Sequence, residues 1–378
     1  MNRLKVLTVF GTRPEAVKLA PVIRELEKHP EIDSRVCVTA QHREMLDQVL
    51  NLFQIHPHYD LNLMKPDQSL AEITSAIMTN LDPLLDQLQP DWVLIQGDTT
   101  TVVATALLAF YRHIKVGHVE AGLRTGNKWQ PFPEEINRKV AGVIADLHFA
   151  PTEQNRENLI KEGIHPDGIL VTGNPVIDAL NIIRAEPEPD EVIHLLTELE
   201  ISEKGKRLVL ITAHRRENFG KPLENICEAI ARLAEIYREK VVFVYPVHLN
   251  PNVQKPVRER LSGIANIKLI PPLDYLPLVH LIRHSSVVLT DSGGIQEEAP
   301  GLGVPTLVLR EVTERPEGIA AGTLKLVGTD PDRILAECRR LLDDPIAHQS
   351  MARAANPFGD GHASERIVAR LLEIPGNE

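Results

Sequence analysis

A chain of 378 residues favours two or three domains over one, and its 43% hydrophobic content is ample for their cores. Its charge balance, 41 Lys and Arg against 52 Asp and Glu for a net of −11, and its 4% aromatic content argue against nucleic acid and anionic membrane as partners. The three cysteines, Cys37, Cys227 and Cys338, are far apart and show no metal spacing, which points to a reducing compartment. The first residues run straight into a strand pattern with no signal peptide, and no apolar run approaches a membrane span. The expectation is a cytoplasmic protein that must gather positive charge locally if it binds an anion.

Strand-like runs alternate with helical patterns through the first half. Leu4–Phe10 is apolar and β-branched, and 14–28 places Val17, Leu19, Ala20, Ile23 and Leu26 at helical spacing. Further strands are predicted at 35–40, 91–96, Lys115–Val119 and Leu147–Ala150. Helices are predicted at 45–53, from the cap Ser69 to Leu88, at 99–111, at Glu134–Ile144, and from the cap Thr152 to near Gly163. This alternation predicts right-handed βαβ units on a parallel sheet. The stretch 184–205 breaks the pattern with Ala185-Glu186-Pro187-Glu188-Pro189-Asp190 and reads as a connection containing a short helix. The alternation then restarts, with strands at Arg207–Thr212, 241–245, Ile267–Ile270, 287–290, 306–309 and 324–327. An amphipathic helix fits 223–237, and helices at 331–342, 346–355 and 363–372 close the chain. The fold class expected is α/β, with two doubly wound Rossmann-like domains at 1–172 and 207–359. They are joined by 173–206 and face across a cleft at the carboxyl ends of both sheets.

No candidate strand is followed by G-x-G-x-x-G, and G-x-x-x-x-G-K-[ST] is absent, which argues against a common NAD-dependent enzyme and a P-loop NTPase. Polar residues collect instead in the loops after the strands. Asp291-Ser292-Gly293-Gly294 stands where a strand hands over to a helix opening at Ile295. Glycines there admit a close oxygen, and a helix start favours a phosphate. The plain alternative is a tight turn with Ser292 as N-cap. Gly11-Thr12-Arg13-Pro14-Glu15, with Lys18 one turn on, offers two cations to a diphosphate. Asp98 is either an N-cap or a working carboxylate, Glu120 ends a buried strand, and Glu134 and Glu135 open a helix whose dipole accounts for one of them. His214, followed by Arg215 and Arg216, and Arg315 lie after strands of the second half. His248 ends another, with nothing near it to suggest a metal. Asp98, Glu120, Glu134 and His214, beside Arg13, Lys18, Arg315 and the glycine turn, mark a functional crevice.

These segments resemble a known family, the non-hydrolysing UDP-N-acetylglucosamine 2-epimerases. The resemblance is carried in order by Gly11-Thr12-Arg13-Pro14-Glu15-Ala16-Val17-Lys18-Leu19-Ala20-Pro21, Gln96-Gly97-Asp98-Thr99, His118-Val119-Glu120-Ala121-Gly122-Leu123-Arg124, Pro133-Glu134-Glu135-Ile136-Asn137-Arg138, His214-Arg215-Arg216-Glu217-Asn218, Asp291-Ser292-Gly293-Gly294-Ile295-Gln296-Glu297-Glu298 and Thr313-Glu314-Arg315-Pro316-Glu317. It spans essentially the whole chain. It implies a glycosyltransferase-B-like fold whose last helix, about 360–378, packs back on the first domain. It also implies a homodimer that interconverts UDP-GlcNAc and UDP-ManNAc without an added cofactor. Catalytic roles fall on Asp98, Glu120, Glu134 and His214. Uridine and diphosphate contacts fall on Arg13, Lys18, Ser292, Gly293, Gly294, Glu298 and Arg315. Near the uracil, where some members carry Gln and Phe, this chain has Leu273 and Leu278, which leaves only backbone contacts there. Some bacterial members bind a second, allosteric UDP-GlcNAc. Gln41, His42 and Arg43 match part of that site, with Arg215 and His248 as further candidates, while Glu44 and Asp67 depart from it.

The C2 hydrogen of GlcNAc is not acidic, and this chain shows no nicotinamide fingerprint. The remaining route removes that proton as UDP leaves C1, giving 2-acetamidoglucal, and adds UDP back after protonation of the other face. Two faces require two acid/base groups, or one group and a moving substrate. Crowded carboxylates can divide into acid and base. Asp98 is expected as the base, Glu120 or Glu134 as the opposite-face acid, and His214 beside the leaving phosphate. A hydrolysing relative, an epimerase of a modified UDP-diacetamido sugar, a glycosyltransferase of the same fold and a non-catalytic sensor stay open as alternatives.

Overall fold

The structure, a computed structural model, describes residues 3–39, 43–63, 65, 68–201 and 205–374. Its first sheet contains β1 (Leu4–Phe10), β2 (Ile32–Val38), β3 (Tyr59–Asp60), β4 (Trp92–Gln96), β5 (Lys115–Val119), β6 (Leu147–Ala150) and β7 (Ile169–Val171). All neighbours are parallel, in the order β3-β2-β1-β4-β5-β6-β7. The second sheet contains β8 (Arg207–Thr212), β9 (Val241–Pro246), β10 (Ile267–Ile270), β11 (Ser285–Thr290), β12 (Thr306–Val308) and β13 (Leu324–Leu326). It is also parallel, in the order β10-β9-β8-β11-β12-β13. One unit comprises Met1–Ala179 and Phe358–Glu378, the other Leu180–Pro357.

A parallel sheet is covered on both faces, so its central strands must be apolar on both. Every residue of β4 is buried. In β8, Leu208 and Leu210 pack with Val192, Leu196 and Ile282, while Val209 and Ile211 pack with Ile226, Ile230 and Leu233. These strands therefore read as unbroken apolar runs. β2 differs: it begins at Ile32, ahead of the predicted start, because Asp33, Ser34 and Arg35 pair with β1 although their side chains show no strand pattern. The strands β3 and β7 are too short to give a pattern, and the sequence predicts neither.

The stretch 173–206 contains two helices, Pro175–Ile183 and Asp190–Glu198, and the division between the units falls inside the first. Residues 175–180 are buried all round, so they carry no helical stripe to detect. In the first unit, Asp178 accepts from the N–H groups of Ala363 (3.2 Å) and Ser364 (2.8 Å), which caps the final helix, Ala363–Glu373. That helix packs on Arg13–Glu27. Among the described residues no helix is long and apolar enough to cross a membrane.

Strand order reverses between β1 and β4 in the first sheet and between β8 and β11 in the second. In doubly wound sheets the crevice at such a reversal, at the carboxyl ends of the strands, is where ligands bind. The loops that leave these four strands carry Arg13, Asp98, His214 and Ser292-Gly293-Gly294.

Candidate active site

In the first unit the loops after β1 and β4 are tied together by Glu15. Its Oε2 accepts from the N–H of Gly11 (3.1 Å) and of Thr12 (2.8 Å), and its Oε1 accepts from Thr99 Oγ1 (2.8 Å). Burial pushes the Glu15 carboxyl upward, and these donors pull against it. Thr99 caps the helix Thr100–Tyr111, so the N-cap reading of Asp98 fails by one residue.

Glu120 follows β5 with φ at +63°, a conformation that side-chain-bearing residues adopt rarely and at a cost on the order of 1 kcal/mol. The residue is 5% exposed. Lys18 Nζ donates to Oε1 at 2.5 Å, Asn174 Nδ2 donates to Oε1 at 2.9 Å, and Gln96 Nε2 donates to Oε2. All three are donors, which suits a carboxylate accepting on both oxygens. Lys18, expected at a diphosphate, is thus engaged by Glu120, and Arg13 lies half-buried at the start of its helix.

Asp98 is partly exposed and pairs with Arg138 Nη2 at 2.6 Å. Of the two glutamates that open the helix Glu134–Ile144, Glu135 is the fully buried one and accepts from the N–H groups of Thr125 and Gly126, whereas Glu134 is half-buried. Arg124 is engaged by Glu162, with Nη2 to Oε2 at 2.6 Å.

Behind these loops His118 and His148 are cross-strand neighbours on β5 and β6, and His118 Nε2 bonds the carbonyl of Gly97 at 2.7 Å. Burial pushes His118 down to about 4 and His148 down to about 3. Both fold as neutral rings, while the unfolded chain takes up their protons below about 6.5. Their contribution to stability is therefore full above that pH and is lost as pH falls towards 4. Urea midpoints are expected to stay level from about pH 8 to 7 and to drop steadily from about 6.5 to 4. A His148→Gln protein should show a shallower drop.

In the second unit Asp291, fully buried, organises the loop after β8. It accepts from the N–H of His214 (2.8 Å to Oδ2, 3.0 Å to Oδ1), from the N–H of Arg215 (2.8 Å) and from Asn218 Nδ2 (2.9 Å). The His214 ring stacks on His248, with centroids 5.2 Å apart and planes 14° apart. Burial lowers the His214 pKa, and the nearby Asp291 carboxylate opposes this. The helix after the glycine turn, Ile295–Gly301, has Gly294 rather than Ser292 at its N-cap.

Two guanidiniums meet at Gly293. A Cβ there would lie 3.1 Å from Arg315 Nη1 and 3.4 Å from Arg215 Nη2, so only glycine leaves this space open. Arg215 Nε is buried with no hydrogen-bond partner among the described residues, an uncompensated donor that a bound anion would satisfy. Arg315 is paired with Glu297 through Nε and with Glu314 through Nη1 at 3.1 Å. Glu298 is buried beside Gly294. Leu273 and Leu278 pack on the core cluster that contains Ile295 and Ala299, next to the helix of the glycine turn.

Of the allosteric candidates, Gln41, His42 and the side chain of Arg43 lie outside the described residues. Arg215 stands with Arg315 at the glycine turn, and His248 stands on His214. Sequence reasoning gives no role to Glu15, Gln96, Asn174, Glu135 or Arg138. Thr12-x-x-Glu15 has capping-box spacing and Gln96 is the one polar residue of its strand, so those two carry a signal. Asn174 carries none.

A family profile described as UDP-N-acetylglucosamine 2-epimerase matches residues 24–372. The chain belongs to this family. The UDP-N-acetylglucosamine 2-epimerase of Salmonella typhimurium is 55% identical over 370 residues, 97% of this chain and 98% of the relative. The crystal structure of the Neisseria meningitidis UDP-GlcNAc 2-epimerase bound to UDP-GlcNAc superposes with a TM-score of 0.91 at 52% identity, covering 98% of this chain and 100% of that one. The Methanocaldococcus jannaschii UDP-GlcNAc 2-epimerase in complex with UDP-GlcNAc and UDP gives a TM-score of 0.83 at 35% identity, over 98% and 100% of the two chains. The likeness extends over both units, as expected for a glycosyltransferase-B-like 2-epimerase.

Proposed function

We propose that this chain interconverts UDP-N-acetylglucosamine and UDP-N-acetylmannosamine by elimination of UDP to 2-acetamidoglucal and re-addition. The observation that carries the reading is the pair of guanidiniums at the second unit's switch point. Arg215 and Arg315 meet there at a glycine turn, and a buried N–H donor on Arg215 has no partner among the described residues. In the first unit the loops after β4 and β5, and the helix that follows, carry the acid/base candidates Asp98, Glu120 and Glu134. Diphosphate chemistry suits the guanidiniums, whose forks neutralise the charge that grows as the C1–O bond breaks. Proton chemistry at a sugar carbon suits the carboxylates.

Asp98 removes the C2 proton. Of Glu120 and Glu134 as the opposite-face acid, the second fits better, because Glu120 accepts on both oxygens from Lys18, Asn174 and Gln96. His214 stands by the departing phosphate. Arg13, Ser292, Gly293, Gly294, Glu298 and Arg315 bind the nucleotide, Lys18 reaches it only by leaving Glu120, and Leu273 and Leu278 meet the uracil through backbone. The reading includes a homodimer working in the cytoplasm. The sequence resemblance supports the dimer, and the three unpaired cysteines support a reducing compartment.

The test is UDP-GlcNAc labelled with ¹⁸O in the bridge between C1 and the β-phosphate. Elimination frees that oxygen to rotate among the β-phosphate positions, so recovered substrate should show scrambled label at a rate comparable to turnover. Epimerisation with the label held wholly in the bridge contradicts the proposal.

A further inference from the structure

Asp98 is gripped from outside its own loop. Its Oδ2 takes two donors from Arg138, Nε at 2.8 Å and Nη2 at 2.6 Å. The remaining nitrogen, Nη1, reaches Glu135 Oε2 at 3.1 Å. Asn137 Nδ2 donates to the Asp98 carbonyl at 2.8 Å. Arg138 is 5% exposed and Glu135 is fully buried, so this guanidinium cannot swing out to solvent without breaking both contacts. Glu135 is in turn pinned by the N–H groups of Thr125 at 3.1 Å and Gly126 at 3.0 Å. One rigid fork thus links the loop after β4 to the first turn of the helix that begins with Glu134.

We propose that Arg138 is a positioning residue for the reaction: it fixes the Asp98 carboxylate relative to Glu134 and leaves Asp98 Oδ1 to meet the substrate. The inference rests on the reading of Asp98 as an acid/base group. The physical reason is geometric. A planar guanidinium donates to two acceptors in fixed directions, so it sets the orientation of Asp98 as well as its location. Lysine is a point charge on a flexible stem and cannot reproduce both contacts. A carboxylate free to shift by about an ångström loses much of the advantage of a prearranged proton transfer.

The experiment compares Arg138→Lys, Arg138→Ala and Asp98→Asn in the full chain with UDP-GlcNAc, recording kcat, KM and melting temperature. Arg138→Ala should lose about 10²-fold in kcat with KM changed by less than about threefold, because nucleotide contacts are elsewhere. Arg138→Lys should recover little of that loss. Millimolar guanidinium added to the Arg138→Ala protein should restore part of kcat without altering KM. If Arg138→Lys folds and turns over at the wild-type rate, the inference fails. It fails equally if kcat, KM and melting temperature collapse together with no guanidinium rescue, which is the behaviour of a fold brace. The Asp98→Asn variant separates the two layers. If it is inactive while Arg138→Lys is fully active, only the role of Arg138 is lost. If Asp98→Asn is itself active, the reading of Asp98 falls.

Discussion

Replacing Lys18 by methionine is expected to cost about 3–5 kcal/mol of stability. Lys18 and Glu120 form a pair whose side chains are 10% and 4% exposed. Removing the ammonium leaves a carboxylate beside the amides of Gln96 and Asn174, in a site that water reaches poorly. Breaking a buried ion pair by removing one partner costs more than the pair gained by forming. Urea unfolding checks this, and a second substitution makes the check specific. Lys18→Met combined with Glu120→Gln removes both charges and should recover most of the lost stability, though it would remain inactive. Equal destabilisation of the single and double variants would instead assign the loss to the packing of the lysine stem.

The second large effect is expected at Asp291. It is wholly buried, and it is the shared acceptor for the N–H groups of His214 and Arg215 and for Asn218 Nδ2. Alanine would leave the two N–H groups unpaired and Asn218 Nδ2 with only the Leu309 carbonyl, at about 3 kcal/mol or more in total. It would also release the turn that aims Arg215 at Gly293, so UDP should bind at least about tenfold more weakly. Asparagine retains an acceptor oxygen and should be milder on both counts. Calorimetric titration with UDP alongside thermal melts measures the two effects separately. UDP affinity unchanged in a folded Asp291→Ala protein would show that this turn does not set the cation pair.

The strands buried on both faces are legible because their burial is written as continuous apolar runs, as in β4 and β8. The strand-end loops are legible because polar residues there interrupt such runs. What the sequence hides falls into kinds. The helix Pro175–Ile183 is buried all round in its first part and has no stripe. β2 opens with polar residues whose pairing is made by backbone. Between Glu134 and Glu135 nothing local says which is structural, because the decision is made by the N–H groups of Thr125 and Gly126, in the loop upstream of the helix. Asn174 reaches Glu120 from 54 positions away. Arg215 reads as one of two consecutive arginines, and only the space beside Gly293 singles it out.

On the proposed route the C2 proton is lost to the protein, exchanges with solvent and is returned on the other face. Proton NMR of the purified protein with UDP-GlcNAc in D2O and no added cofactor reads that exchange. UDP-ManNAc is expected to carry deuterium at C2, with deuterium appearing in UDP-GlcNAc as the reaction reverses. UDP-ManNAc that forms with its C2 hydrogen wholly retained would contradict this route.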